Sequence, residues 1–150
     1  MKEKLYKIKI NNPVDYEKKL NDHKDYIKML NILEKKCDFI GIDSNHEIIN
    51  EFKDDIIKIE KSNTWWGIET SYIETLYYIK ASKELFEFLS KYETFCKYIT
   101  DYKYGDYVEE TSFGVNDIAF FDKDCNILLR TNTHEGFVFV DVSIDKLFRE

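Results

Sequence analysis

Two His-Glu steps, His46-Glu47 and His134-Glu135, place side chains suited to acid–base or metal chemistry next to each other. A zinc site of the H-E-x-x-H kind needs a second histidine one helical turn further on, so that both imidazoles reach one ion. Four positions on stand Asn50 and Val138, so neither step makes such a site. His134-Glu135, just before Gly136, reads first as a turn. It is also the pair on which acid–base catalysis would rest, because imidazole titrates near neutrality. Asp122-x-Asp124-x-Asn126 imitates the opening of a calcium-binding loop, but its sixth position is Ile127 and its twelfth is Thr133. Those positions require glycine and a bidentate glutamate, so a hairpin turn is the better reading.

Covalent chemistry finds no better footing. Cys37, Cys96 and Cys125 include no C-x-x-C pair, which leaves a zinc site or a redox dithiol without support. Cys125 lies among Asp122 and Asp124, whose charges disfavour a thiolate, and Cys96 falls on an apolar stripe. The five glycines stand singly, with no G-x-G-x-x-G and no G-K-[ST] to cradle a phosphate. No reaction class is indicated, and neither a cofactor nor a metal is expected.

Binding is better represented than catalysis. Between Asp101 and Cys125 seven acids face two lysines, and 14 of the 24 aromatic residues lie between Trp65 and Phe113. Charge steers encounter and large aromatics anchor contact, so this region reads as a surface for a basic protein partner. The candidate contact residues are Tyr102, Tyr104, Asp106, Tyr107, Glu109 and Glu110, joined by Trp65 and Trp66 if Trp65-Trp66-Gly67 sits on a loop that presents both indoles; the other reading is that one or both tryptophans cover the core from outside.

The whole-chain numbers agree with that direction. With 150 residues and a net charge of −7, the chain has the size of one domain and lacks the clustered positive charge that nucleic acid requires. No apolar run approaches the roughly 20 residues that cross a bilayer, so no membrane partner is expected. Met1 to Lys7 carries lysines without an apolar run of signal-peptide type, which makes the cytoplasm the expected compartment. Abundant Ile, Lys, Asn, Tyr and Phe, two alanines and no glutamine suit an AT-rich bacterial gene. In size, charge and missing chemistry the chain resembles the immunity proteins that neutralise secreted bacterial toxins, although it carries no motif of a named immunity family. That resemblance implies an acidic aromatic face blocking a basic, nuclease-like toxin domain. The alternatives are a small acid–base enzyme built on His134 and Glu135, and a regulatory subunit.

The elements that must hold these residues follow from periodicity. Leu5–Ile10 alternates as a strand, and Asn12-Pro13 reads as a helix start whose stripe runs through Tyr16, Leu20, His23, Ile27 and Leu30 to Leu33, with a break at Asn21-Asp22-His23. Cys37–Ile42 is a strand. Ser44 and Glu47 have capping-box spacing before a short helix. Asp55–Glu60 is a strand, Lys61–Ser71 a loop, and Tyr72–Lys80 a strand that buries its odd positions, from Ile73 to Ile79. From Ser82 a helix carries Leu85, Phe88, Leu89, Tyr92, Phe95, Cys96 and Ile99 at intervals of three and four. Asp101–Gly105 is a loop. Three apolar segments, Asp117–Phe121, Ile127–Thr131 and Phe137–Val142, are separated by turn-forming residues and predict an antiparallel meander. Ser143 caps a last helix. The sum is a single α+β domain with a mostly antiparallel sheet and packed helices.

Overall fold

The computed structural model describes residues 10, 13–16, 20–43, 46–66, 68–109, 111, 113, 116–133 and 135–150. Nine strands and four helices follow one another along these residues: β1 (Pro13–Asp15), α1 (His23–Lys36), β2 (Phe39–Asp43), α2 (His46–Glu51), β3 (Ile56–Trp65), β4 (Ile68–Lys80), α3 (Lys83–Leu89), β5 (Lys97–Asp101), β6 (Gly105–Glu109), β7 (Ile118–Phe121), β8 (Ile127–Asn132), β9 (Phe137–Asp141) and α4 (Val142–Arg149). Seven strands form one sheet in the order β1-β9-β8-β7-β2-β4-β3, and β5 and β6 pair apart from it. All these pairings are antiparallel. The α+β class and the closing meander β7-β8-β9 are as the sequence predicts. Among the described residues no helix is long and apolar enough to cross a membrane.

Each face of the sheet has its own core. Ile40 and Ile42 of β2 pair with Ile79 and Tyr77 on one side and with Phe120 and Ile118 on the other. This row meets the buried residues of the helices, including Leu30 and Leu33, Ile48, Leu85 and Leu89, and Ile144. On the opposite face Phe39, Leu76, Tyr78, Ala119, Phe121 and Ile127 lie under Trp65 and Trp66.

The tryptophans get there because Lys61–Ser71 is a hairpin, where the sequence reads a loop. Trp65 pairs with Ile68, so the chain reverses over two positions. Trp66 takes the first of them at φ 49°, a left-handed conformation that costs a bulky residue about 1–2 kcal/mol. Burying an indole removes about 150–250 Å² from water, worth roughly 4–6 kcal/mol, which outweighs that cost. Trp66 is 2% exposed, and its ring lies edge-on to Tyr78 and Phe121. A Cβ at Gly41 would come within 2.5 Å of Trp66 Cζ2 and 2.9 Å of Tyr78 Cε1, so the indole needs a glycine beneath it.

Several other expectations are corrected. Pro13–Asp15 is a strand against β9, and Tyr16 N donates to the Val138 carbonyl at 2.7 Å, so pairing overrides the helix-start signal at Pro13. The helix begins instead at His23, where the Asp22 carboxylate accepts from Lys24 N at 2.8 Å. Tyr16 and Leu20 are buried without being helical. In β4 the odd positions are buried only towards the end of the strand: Ile79 is buried and Tyr77 packs on the helix-side core, but Ile73 is 69% exposed, and Leu76 and Tyr78 are buried as well by the tryptophans covering their face. Helix α3 stops at Leu89. Tyr92, Phe95 and Cys96 stay buried beyond it in irregular chain, and Ile99 belongs to β5. Asp141, not Ser143, caps α4, its carboxylate accepting from Ser143 N at 3.1 Å. Residues 5–9, Asn12 and Ser44 lie outside the described residues, so the strand, cap and capping box read there stand as sequence readings.

Gly41→Ala should therefore displace Trp66 and destabilise the fold by about 1–3 kcal/mol, the usual cost of overpacking. Denaturant unfolding measures it, with tryptophan emission moving to the red as the indole gains water. A variant of unchanged stability and emission would show that the contact yields freely.

Candidate functional site

Two places gather polar or aromatic groups in ways that bear on function: the separate hairpin β5-β6 and a buried pair of aspartates. In the hairpin, Lys97 pairs with Glu109 and Asp101 with Gly105, leaving a three-residue loop of Tyr102, Lys103 and Tyr104. The Asp101 carboxylate accepts from Lys103 N at 2.8 Å and from Tyr104 N at 3.3 Å, which shapes the turn from within. Gly105 closes it at φ 84°, a conformation glycine adopts without a steric penalty. Tyr102 is fully exposed, Tyr104 is 77% exposed and Tyr107 is 46% exposed. Lys103 Nζ lies 5.1 Å from the Tyr104 ring centroid.

The hairpin thus brings Tyr102, Tyr104 and Tyr107 together on one projecting element, with Glu109 exposed on the return strand. Glu110 and the side chain of Asp106 lie outside the described residues. Trp65 and Trp66 do not join this surface. They are 4% and 2% exposed and form the core of the sheet's second face, so the core-covering reading holds and the placing of both among the contact residues is corrected. Between Lys97 and Glu110 the sequence sets two lysines against four acids, so the element is acidic by a small margin and aromatic by a large one.

The aspartates were not singled out by the sequence. Asp43 ends β2 and Asp117 stands just before β7, opposite it in the antiparallel pair. Asp117 N donates to Asp43 Oδ1 at 2.6 Å. Asp117 Oδ1 accepts from Thr133 N at 2.8 Å and from Thr133 Oγ1 at 3.2 Å, and Oδ2 accepts from Trp65 Nε1 at 3.5 Å. Burial raises the pKa of both carboxyls. The Asp117 charge, with a smaller contribution from Glu74, adds to the rise at Asp43, whose carboxyl is pushed up to about 7. The donors from Thr133 and Trp65 and the Arg130 charge oppose the rise at Asp117. These bonds go to the chain's own backbone and core, so the pair joins β2, β7, the end of β8 and the tryptophan hairpin.

Other chemical candidates fare differently. The Cys37 thiol is pushed up to about 12 by burial, which suppresses the thiolate a nucleophile needs. Cys96 is buried, and Cys125 sits in the β7-β8 turn at φ 66°. That turn is organised by Asp122, whose Oδ1 accepts from Asp124 N and Asn126 N at 2.9 Å each, as the hairpin reading of this motif requires. Glu135 is exposed in the β8-β9 connection, and His134 lies outside the described residues. Among the described residues no group of His, Cys, Asp or Glu is arranged to hold a metal. Compared with protein-family models, curated proteins and solved structures, the chain finds no match.

The raised Asp43 pKa fixes the sign of a pH effect. Between about pH 4 and 7 the folded chain holds a proton that the unfolded chain has released, so this group's contribution to stability is present below pH 4 and lost as pH rises through 7. Asp43→Asn keeps an oxygen for Asp117 N and removes the charge. The variant should match the parent near pH 4 and exceed it by about 1–3 kcal/mol at pH 8. Thermal or urea unfolding at the two pH values checks this; an equal difference at both would contradict it.

Proposed function

We propose that the chain is a non-catalytic binding protein of the immunity type, and that the β5-β6 hairpin is the element that engages a basic protein partner such as a toxin domain. The observation that carries this reading is the hairpin tip, where Tyr102 and Tyr104 stand in water on a turn held by Asp101 and Gly105. Two large aromatics on a backbone already fixed by its own hydrogen bonds lose little entropy on docking, which is what interface anchors need. The acids around them supply a modest steering field for a positively charged surface. Buried tryptophans narrow the contact to the tyrosines, and the acid–base alternative draws no support from the described groups around Glu135.

The test is co-expression and purification with the product of the adjacent gene, followed by binding kinetics at two salt concentrations. Tyr102→Ala with Tyr104→Ala should speed dissociation by about tenfold or more, since anchors act on the bound state. Glu109→Lys should slow association, and added salt should slow it too, because exposed charges are screened beyond about 8 Å at physiological ionic strength. No co-purifying protein, or a complex indifferent to the tyrosines, would overturn the proposal.

A further inference from the structure

The seven-stranded sheet has two edges built differently. At one end β1 is three residues long and starts with Pro13, which has no N–H to offer a neighbouring chain. At the other, β3 runs ten residues without proline, regular in register from Lys58 to Ser62 with shifts on either side, and has no strand beyond it among the described residues. Ile57 and Ile59 are 53% and 57% exposed along it. A long edge carrying exposed isoleucines is an arrangement that sheets avoid when nothing pairs with it.

We propose that β3 pairs antiparallel with β3 of a second copy of this chain across a twofold axis, making one continuous sheet of the two. The register follows from the charges. Centred on Ile59, self-pairing sets Ile59 opposite the partner subunit's Ile59 and Lys58 opposite the partner subunit's Glu60; symmetry repeats the second contact. Within one strand Lys58 Nζ already lies 3.2 Å from Glu60, so two such pairs brought together form a square of four charges of alternating sign. Centring the axis on Lys58 sets lysine against lysine, and centring it on Glu60 sets glutamate against glutamate, both unfavourable. The Ile59 register therefore joins opposite charges and stacks isoleucine on isoleucine, and the isologous geometry closes the edge on itself.

Sedimentation of the full chain over a concentration series tests it. The parent should show a concentration-dependent dimer. K58E, and separately E60K, set like charges opposite each other twice and should weaken association by about tenfold or more. K58E with E60K reverses both signs and should restore it, while thermal unfolding confirms that each variant folds. The double substitution makes the test specific, because general damage to β3 would not be repaired by a second charge change. A chain that stays monomeric throughout would overturn the proposal. So would a dimer that K58E leaves unchanged, or one that the double variant fails to recover. Tyrosine substitutions in β5-β6 that abolish partner binding should leave the dimer intact, so the two proposals fail separately.

Discussion

The indole of Trp66 occupies the space that a side chain at position 41 would need, and the second face of the sheet is organised around that exclusion. Among the described residues the helices bury their apolar residues against the other face, so the row Phe39, Tyr78, Ala119 and Phe121 needs a cover of its own, to which Ile10 also belongs. The indoles of that cover come from the tip of the β3-β4 hairpin. To deliver them, β3 and β4 are long, their register shifts between Ser62 and Thr64, and Trp66 accepts a left-handed backbone. Trp66 Nε1 then donates to Tyr78 OH at 3.2 Å, and Trp65 Nε1 reaches Asp117, so the two polar atoms brought inward by the indoles find acceptors.

That arrangement explains which parts of the molecule were legible. The meander from β7 to β9 could be read because each strand is short, apolar and bounded by residues whose side chains make turns, Asp122 most plainly. Ser62-Asn63-Thr64 offered no such signal: polar residues in the middle of a long hairpin look like a loop, and the turn itself is held by burial of Trp66 instead of by an Asn-Gly pair. The burial of Leu76 is hidden for the same reason, since the alternation of β4 does not show that a distant indole covers its second face. At Pro13 the local helix signal was sound as chemistry but lost to pairing with β9. Beyond Leu89 a helical spacing of apolar residues persists without a helix. There the segment is tied down by long-range bonds, among them Thr94 Oγ1 to the Leu20 carbonyl at 2.6 Å, which periodicity cannot register.

The candidate surface was legible in part. Tyr102, Tyr104 and Tyr107 share one hairpin, while Trp65 and Trp66 belong to the core. Tryptophan is a poor guide here because its preference for interfaces and its preference for burial have one physical source, a large apolar area. The tyrosines differ in context: their flanking residues, Asp101 and Gly105, make a turn that projects, and a projecting turn has no core to cover. Residue type suggested contact in both cases, and only backbone placement separates them.

The aspartate pair shows why a charge is tolerated at the seam between the two cores. Asp117 receives three donors, Thr133 N, Thr133 Oγ1 and Trp65 Nε1, spread over both its oxygens. An asparagine has one acceptor oxygen and would turn an unwanted N–H towards one of those donors, so the carboxylate is the side chain that fits. Asp43 accepts from Asp117 N, a role that a neutral oxygen also performs. Two carboxylates placed this close repel each other when both ionise. Burial raises both carboxyls; the hydrogen bonds and Arg130 oppose the rise at Asp117, and the Asp117 charge adds to it at Asp43. Trp66 packs over Gly41 while its neighbour Trp65 donates to Asp117, so adjacent residues of one hairpin tip serve the packing of the second face and the hydrogen bonding of the aspartate pair.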